Sequence, residues 1–264
     1  MPLRRSLMGQ AAGLGAIAAS VQLPMPKAVA QQAQSAMEQA FRSFEFVGPE
    51  NDPEFGPAIR GGAPAGVAVG TGEARHEEVA TAFRLLFSDE LRARARANGH
   101  MGAAEWLEAL TVTNRENPGE RYNAEWQRRS NPLIVAFFGL TNTLPSAGDQ
   151  TSWCAAFVNF CLYMGGRKGT FSALSGSFRE SGNLDPVMGE PQAGDVVVFS
   201  KYGEEGRKGF GHVGFFVRRE GSSIIVLGGN QGGQRGTTGA VTRVAFREQG
   251  NDLQLYGFRR PRMA

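Results

Sequence analysis

Between residues 152 and 164 apolar positions fall at Cys154, Phe157, Val158, Cys161 and Leu162. This i, i+3, i+4, i+7, i+8 spacing marks one face of a helix. Ser152 stands where an N-cap is expected and Gly165-Gly166 supplies the stop, so the pattern predicts a buried helix with a cysteine in its first turn. Downstream the period changes. Short apolar runs at 196–199, 212–217, 223–227, 241–246 and 253–258 are separated by turns rich in Gly, Pro and charge. These runs predict about five strands, and connections this short favour antiparallel pairing. A helix laid on one face of such a sheet makes an α+β domain.

Upstream the pattern is weaker. Val79, Phe83, Leu86 and Phe87, followed by Trp106, Leu107 and Leu110, predict two helices with a break near Asn98-Gly99-His100. Asn131-Pro132 opens a further short helix, with Pro132 at its first position, and 139–151 is a loop that delivers the chain to the cysteine helix. Residues 31–75 are rich in Gln, Pro, Gly and Ala with little periodicity, which reads as a flexible linker, with a short helix around 33–46. With the helical segment 76–121 they form an expected arm, dispensable to the remainder. Residues 1–30 read as an export signal. Arg4-Arg5-Ser6-Leu7-Met8 precedes a Gly/Ala-rich, weakly apolar run, and Ala28-Val29-Ala30 offers a cleavage site. The paired arginines resemble a twin-arginine signal, which implies the periplasm or secretion. The run is too short and glycine-rich for a membrane span, so no stable membrane insertion is expected once the signal is cleaved.

Composition narrows the classes. The 264 residues carry a net charge of +3, with lysines and arginines scattered rather than striped. That argues against nucleic acid as a partner and is compatible with an anionic polymer such as the cell wall. No Cys/His cluster has metal-ligand spacing, and neither a metal nor a cofactor is expected. Gly228-Gly229-Asn230-Gln231-Gly232-Gly233 lacks the Gly-Lys-Ser/Thr of a phosphate loop. The two cysteines lie seven apart on one helix, about 10.5 Å along its axis, beyond the roughly 7 Å a disulfide spans. Cys154 is therefore a free thiol, and the helix dipole at its position favours the thiolate.

A nucleophilic thiol needs an imidazole to take and return its proton, and the imidazole needs a polar partner to fix its tautomer. Of three histidines, His212 opens a strand between Gly211 and Gly214, while His76 and His100 read as surface or capping residues. Asn230, just after the next strand, is the expected orienting partner. The backbone N–H of Cys154 would hold the oxyanion, helped by Gln150 or Ser152. Trp153 reads equally as a wall of the substrate cleft or as core, and Asp195 as the cap of a turn. Cys154 and His212 are expected to populate a thiolate–imidazolium pair near neutrality.

Trp153-Cys154-Ala155-Ala156-Phe157-Val158-Asn159, Gly194-Asp195-Val196-Val197-Val198-Phe199, Gly211-His212-Val213-Gly214-Phe215, Leu227-Gly228-Gly229-Asn230-Gln231 and Gly257-Phe258-Arg259-Arg260-Pro261 together resemble a family of papain-like cysteine amidohydrolases related to the NlpC and CHAP cell-wall hydrolases. The resemblance spans roughly 122–261 and marks 122–264 as a cysteine hydrolase domain. It implies a papain-like fold and cleavage of an amide bond in peptidoglycan, by an endopeptidase or an amidase. Its nucleophile and base fall on Cys154 and His212, and its third position on Asn230. A non-catalytic peptidoglycan-binding module of the same fold, or an acyltransferase, remains an alternative, and the oligomeric state is open.

Overall fold

The computed structural model describes residues 74–145, 147–232 and 239–264. The expected export signal, most of the linker and the short helix around 33–46 lie outside them. Helix α1 (His76–Leu86) has Glu77 and Glu78 in its first turn and Arg84 in its last, which complements the helix dipole. Helix α2 (Asp89–Glu108) starts where the Ser88 hydroxyl accepts the Leu91 N–H. It is broken at Asn98 and at Gly99, whose φ of 60° is a conformation glycine adopts without strain. The Asn131 side chain caps α3 (Pro132–Phe137), with Pro132 at the first position.

Helix α4 (Cys154–Met164) is buried along almost its whole length and stops at Gly165 and Gly166. Its N-cap is Trp153, which makes no side-chain capping bond, and Ser152 is exposed, so the expected serine cap is not formed. The sheet contains β1 (Leu184–Pro186), β2 (Val196–Lys201), β3 (Gly211–Glu220), β4 (Ser223–Gln231), β5 (Ala240–Arg247) and β6 (Leu253–Pro261). Their order is β1-β6-β2-β3-β4-β5, with every neighbouring pair antiparallel. The short β1, at the sheet edge, is the strand the hydrophobic pattern did not reveal. A short helix, α5 (Gly203–Arg207), joins β2 to β3.

The two faces of the sheet divide the core. Val196, Val198, Val213, Phe215 and Leu227 face α4 and join the larger cluster. Val197, Phe199, Phe216, Ile224, Val226 and Phe258 form a smaller apolar layer on the far face. The larger cluster also takes in Leu91, Trp106 and Leu107 of α2 and Ala82 of α1. The helical segment is thus part of the same core as α4 and the sheet rather than an arm attached to it. His100 sits at the break in α2, against the Phe215 ring and within 2.7 Å of the Gly194 carbonyl, not on the surface. Asp195 caps its turn as expected, accepting the Gln192 N–H, and also makes a two-bond ion pair with Arg260.

Because the Leu107 side chain is fully buried, Leu107→Ala should destabilise the whole domain by about 2–5 kcal/mol. Urea unfolding followed at the sheet would show it; a change below about 0.5 kcal/mol would mean α2 contributes nothing to the core.

Candidate active site

Paired residues run from Phe215↔Leu227 to Glu220↔Ser223, and beyond Phe215 the two strands β3 and β4 part. The start of α4 enters this wedge. A Cβ on Gly229 would lie 2.3 Å from the Trp153 ring and 2.7 Å from Cβ of Phe157, so only glycine lets β4 pass the helix here. The Trp153 ring is fully buried and its Nε1–H donates to Glu125 Oε1 at 2.8 Å. It is therefore core rather than cleft wall. The other oxygen of Glu125 accepts the Gly239 N–H at 2.8 Å. One carboxylate thus ties the residue before the cysteine to the start of β5.

Cys154 is almost completely buried, and its sulfur receives the amides of Val213, Ala155 and Cys154 itself. The thiol therefore meets β3 at the residue next to His212. His212 lies opposite Phe199 in the β2–β3 register and stacks on Phe246, 5.2 Å between ring centres, so its ring lies on the far face of the sheet. Its Nε2 is 2.8 Å from Gln231 Oε1.

This last bond corrects the expected orienting partner. Along β4, Ile224 and Val226 face the far side, and unbroken alternation would carry residue 230 to that side. A register shift lies between Gly228↔Thr242 and Gln231↔Ala240, with one extra residue on β4. This is a β-bulge, and Asn230 sits in it at φ 55°. The extra residue flips the alternation and brings Gln231, not Asn230, onto the face of His212. Asn230 turns instead toward Gly239, on whose position both its Oδ1 and Glu125 Oε1 converge.

Gln231 also fixes the tautomer. Its Nε2 donates to the carbonyls of Val226 and Thr242. Both amide donors are used, so the atom facing the imidazole is an acceptor and His212 Nε2 must carry the proton. That leaves Nδ1 as the basic nitrogen.

Other expected helpers are placed differently. Gln150 is half-buried beside Asp149, 3.4 Å from its Oδ1, while Ser152 faces solvent. Sequence reasoning missed Glu125, Asp149 and Gln231. Asp149 is fully buried, and its Oδ2 accepts the N–H groups of Trp126 and Asn131, pinning the loop before α4. Burial, with the Glu125 charge nearby, pushes its pKa up to about 7. Asn159, one turn into α4, accepts the Thr170 and Phe171 N–H groups and donates to the Ser172 carbonyl, which fastens that segment beside the helix.

Burial governs the protonation of the pair. It pushes the Cys154 thiol from 9.0 up to about 11, against the three amides that lower it. It pushes His212 from 6.5 down to about 4, against Gln231. The cysteine shift corresponds to about 3 kcal/mol, whereas a helix terminus contributes about 0.3–1 kcal/mol and seldom more than 2. The expected thiolate–imidazolium pair therefore gives way to a neutral thiol and a neutral imidazole. Cys161 is buried too, and its pKa is raised.

The CHAP domain family matches residues 146–230, less than half of the chain but including Cys154, His212 and Asn230. Among curated proteins none matches. No solved structure matches either. The mixed α+β architecture, with α4 on a six-stranded antiparallel sheet, is consistent with a CHAP or papain-like fold. CHAP domains are typically peptidoglycan hydrolases.

A neutral, buried thiol should alkylate slowly in the folded protein. With iodoacetamide at pH 6 to 8, Cys154 should react more slowly than a free cysteine of pKa about 8.5, and the rate should still be rising at pH 10. Unfolding in guanidinium should remove the protection. Quantitative mass spectrometry of the Cys154 peptide reads this, and fast labelling at pH 6 would restore the ion pair.

Proposed function

We propose that the chain is a cysteine hydrolase that cleaves an amide bond in peptidoglycan. The observation that carries this is the Gln231 amide: with both of its donors engaged, it leaves Nδ1 as the basic nitrogen of His212, whose neighbour Val213 offers its amide to the Cys154 sulfur. The CHAP match supports the substrate class. In this reading the Cys154 sulfur attacks the amide carbonyl carbon while His212 Nδ1 takes the thiol proton. The Cys154 N–H at the start of α4 donates to the oxyanion. His212 then gives its proton to the leaving amine, and the C–N bond breaks to leave a thioester. Water, deprotonated by the same nitrogen, releases the carboxylate product and restores the thiol. Gln231 acts through the ring and is a positioning residue. Asn230 holds the bulge that brings Gln231 there. Because both reacting groups rest neutral, the proton moves as the carbon–sulfur bond forms.

A second reading, a wall-binding module without turnover, takes its support from the burial of Cys154 and His212. We also read residues 1–30 as an export signal, supported by Arg4-Arg5 and Ala28-Val29-Ala30. N-terminal sequencing of the protein recovered outside the cytoplasm should begin at residue 31.

Purified full-length protein should release new fragments from peptidoglycan, identified by mass spectrometry as cuts at a peptide or sugar–peptide amide. Cys154→Ala should abolish release yet still sediment with insoluble wall. Gln231→Leu should lower kcat by about 10- to 100-fold with little effect on KM, since it frees the imidazole tautomer. Parent protein that pellets with wall but releases nothing would establish the binding module instead.

A further inference from the structure

Part of the surface at the His212 end of the sheet is a groove of about 440 Å³ lined by Leu174, Ser177, Arg179, Arg207, Lys208 and Tyr256. Two chain connections link it to the elements that carry Cys154 and His212. Gly209, on its wall, is three residues from His212, and its carbonyl accepts the Gly176 N–H. Leu174 ends the segment that Asn159 of the cysteine helix fastens in place.

The charges here are unusually uncompensated. Arg179 donates to the Gly206 and Phe210 carbonyls and to the Ser200 hydroxyl, and among the described residues it meets no carboxylate. Among the described residues Arg259 donates to the Arg179 and Phe258 carbonyls and to no carboxylate. Both guanidinium groups lie over the Tyr256 ring, at 5.2 and 5.4 Å from its centre. Arg207 is exposed and forms no ion pair among the described residues, while Lys208 is paired with Glu204. The one acidic residue of the lining, Glu180, accepts the Tyr256 hydroxyl. Carbonyl partners orient a guanidinium without neutralising it. The groove therefore keeps a net positive field, which would raise the local concentration of an anionic substrate.

We propose that this groove is a subsite for the carboxylate groups of the substrate's peptide, holding the strand on one side of the bond to be cut. The proposal rests on the peptidoglycan reading for the source of the carboxylate. Arg207 and Lys208 meet it at the rim, and Arg179 and Tyr256 form the floor.

Calorimetric titration of full-length protein carrying Cys154→Ala, which removes turnover, tests it with three probes: a soluble disaccharide-peptide from peptidoglycan, the same compound with its carboxylates as carboxamides, and oligoglutamate. The native fragment should bind about tenfold tighter than its carboxamide at low salt, and the advantage should shrink in 0.5 M salt. Adding Arg207→Glu, an exposed change, should erase the advantage with an unchanged melting curve, while Arg207→Lys should retain most of it. Equal affinity of the Arg207→Glu and unaltered proteins for both carboxylate probes would overturn the subsite. Arg207-dependent binding of oligoglutamate without binding of the fragment would leave a carboxylate site but overturn peptidoglycan as its ligand.

Discussion

The strands β3 and β4 are held together by hydrogen bonds as far as Phe215 and Leu227, and no further. That parting is what everything else at the site depends on. A closed ladder would use the Val213 N–H within the sheet; an open one offers it to the Cys154 sulfur. The gap is filled by a fully buried indole, and Gly229 is the complementary shape on β4. Glu125 secures the indole from the other side through a single hydrogen bond to Nε1. Three elements distant in sequence thus fix the position of one sulfur atom.

The second constraint is a count of residues. One extra residue in β4 decides which side chain meets His212, and the amide so delivered has its donors already engaged by Val226 and Thr242. Geometry fixed at the bulge becomes chemistry at the ring, because an acceptor at Nε2 assigns the proton there. The assignment follows from hydrogen-bond valence and needs no charged partner.

Much of this was legible in the sequence. The 3.6-residue period around Cys154 and the short apolar runs after Gly194 carry the helix and five of the six strands, and the break at Asn98-Gly99 follows from glycine's backbone freedom. What escaped was what depends on distance or register. The three-residue β1 is too short to show a period. Residues 76–121 looked weakly amphipathic because α2 changes direction at Gly99, so its apolar positions do not line up along one straight axis. Asn230 was the expected partner because it stands just after the apolar run of β4, and a bulge leaves no mark in composition. The helix dipole suggested an ionised thiol, but burial outweighs it, and burial belongs to the assembled fold.

The neutrality of the buried sulfur bears on how long the protein lasts. Oxidation of cysteine by peroxides begins with the thiolate. With a pKa of about 11, roughly one molecule in ten thousand carries it at pH 7. Cys161, the other thiol, lies on the same rigid helix and is buried as well, so neither has a disulfide partner within reach. A free cysteine kept in this state offers peroxide little thiolate to attack. The packing that delays ionisation thus also shields the thiol from oxidation.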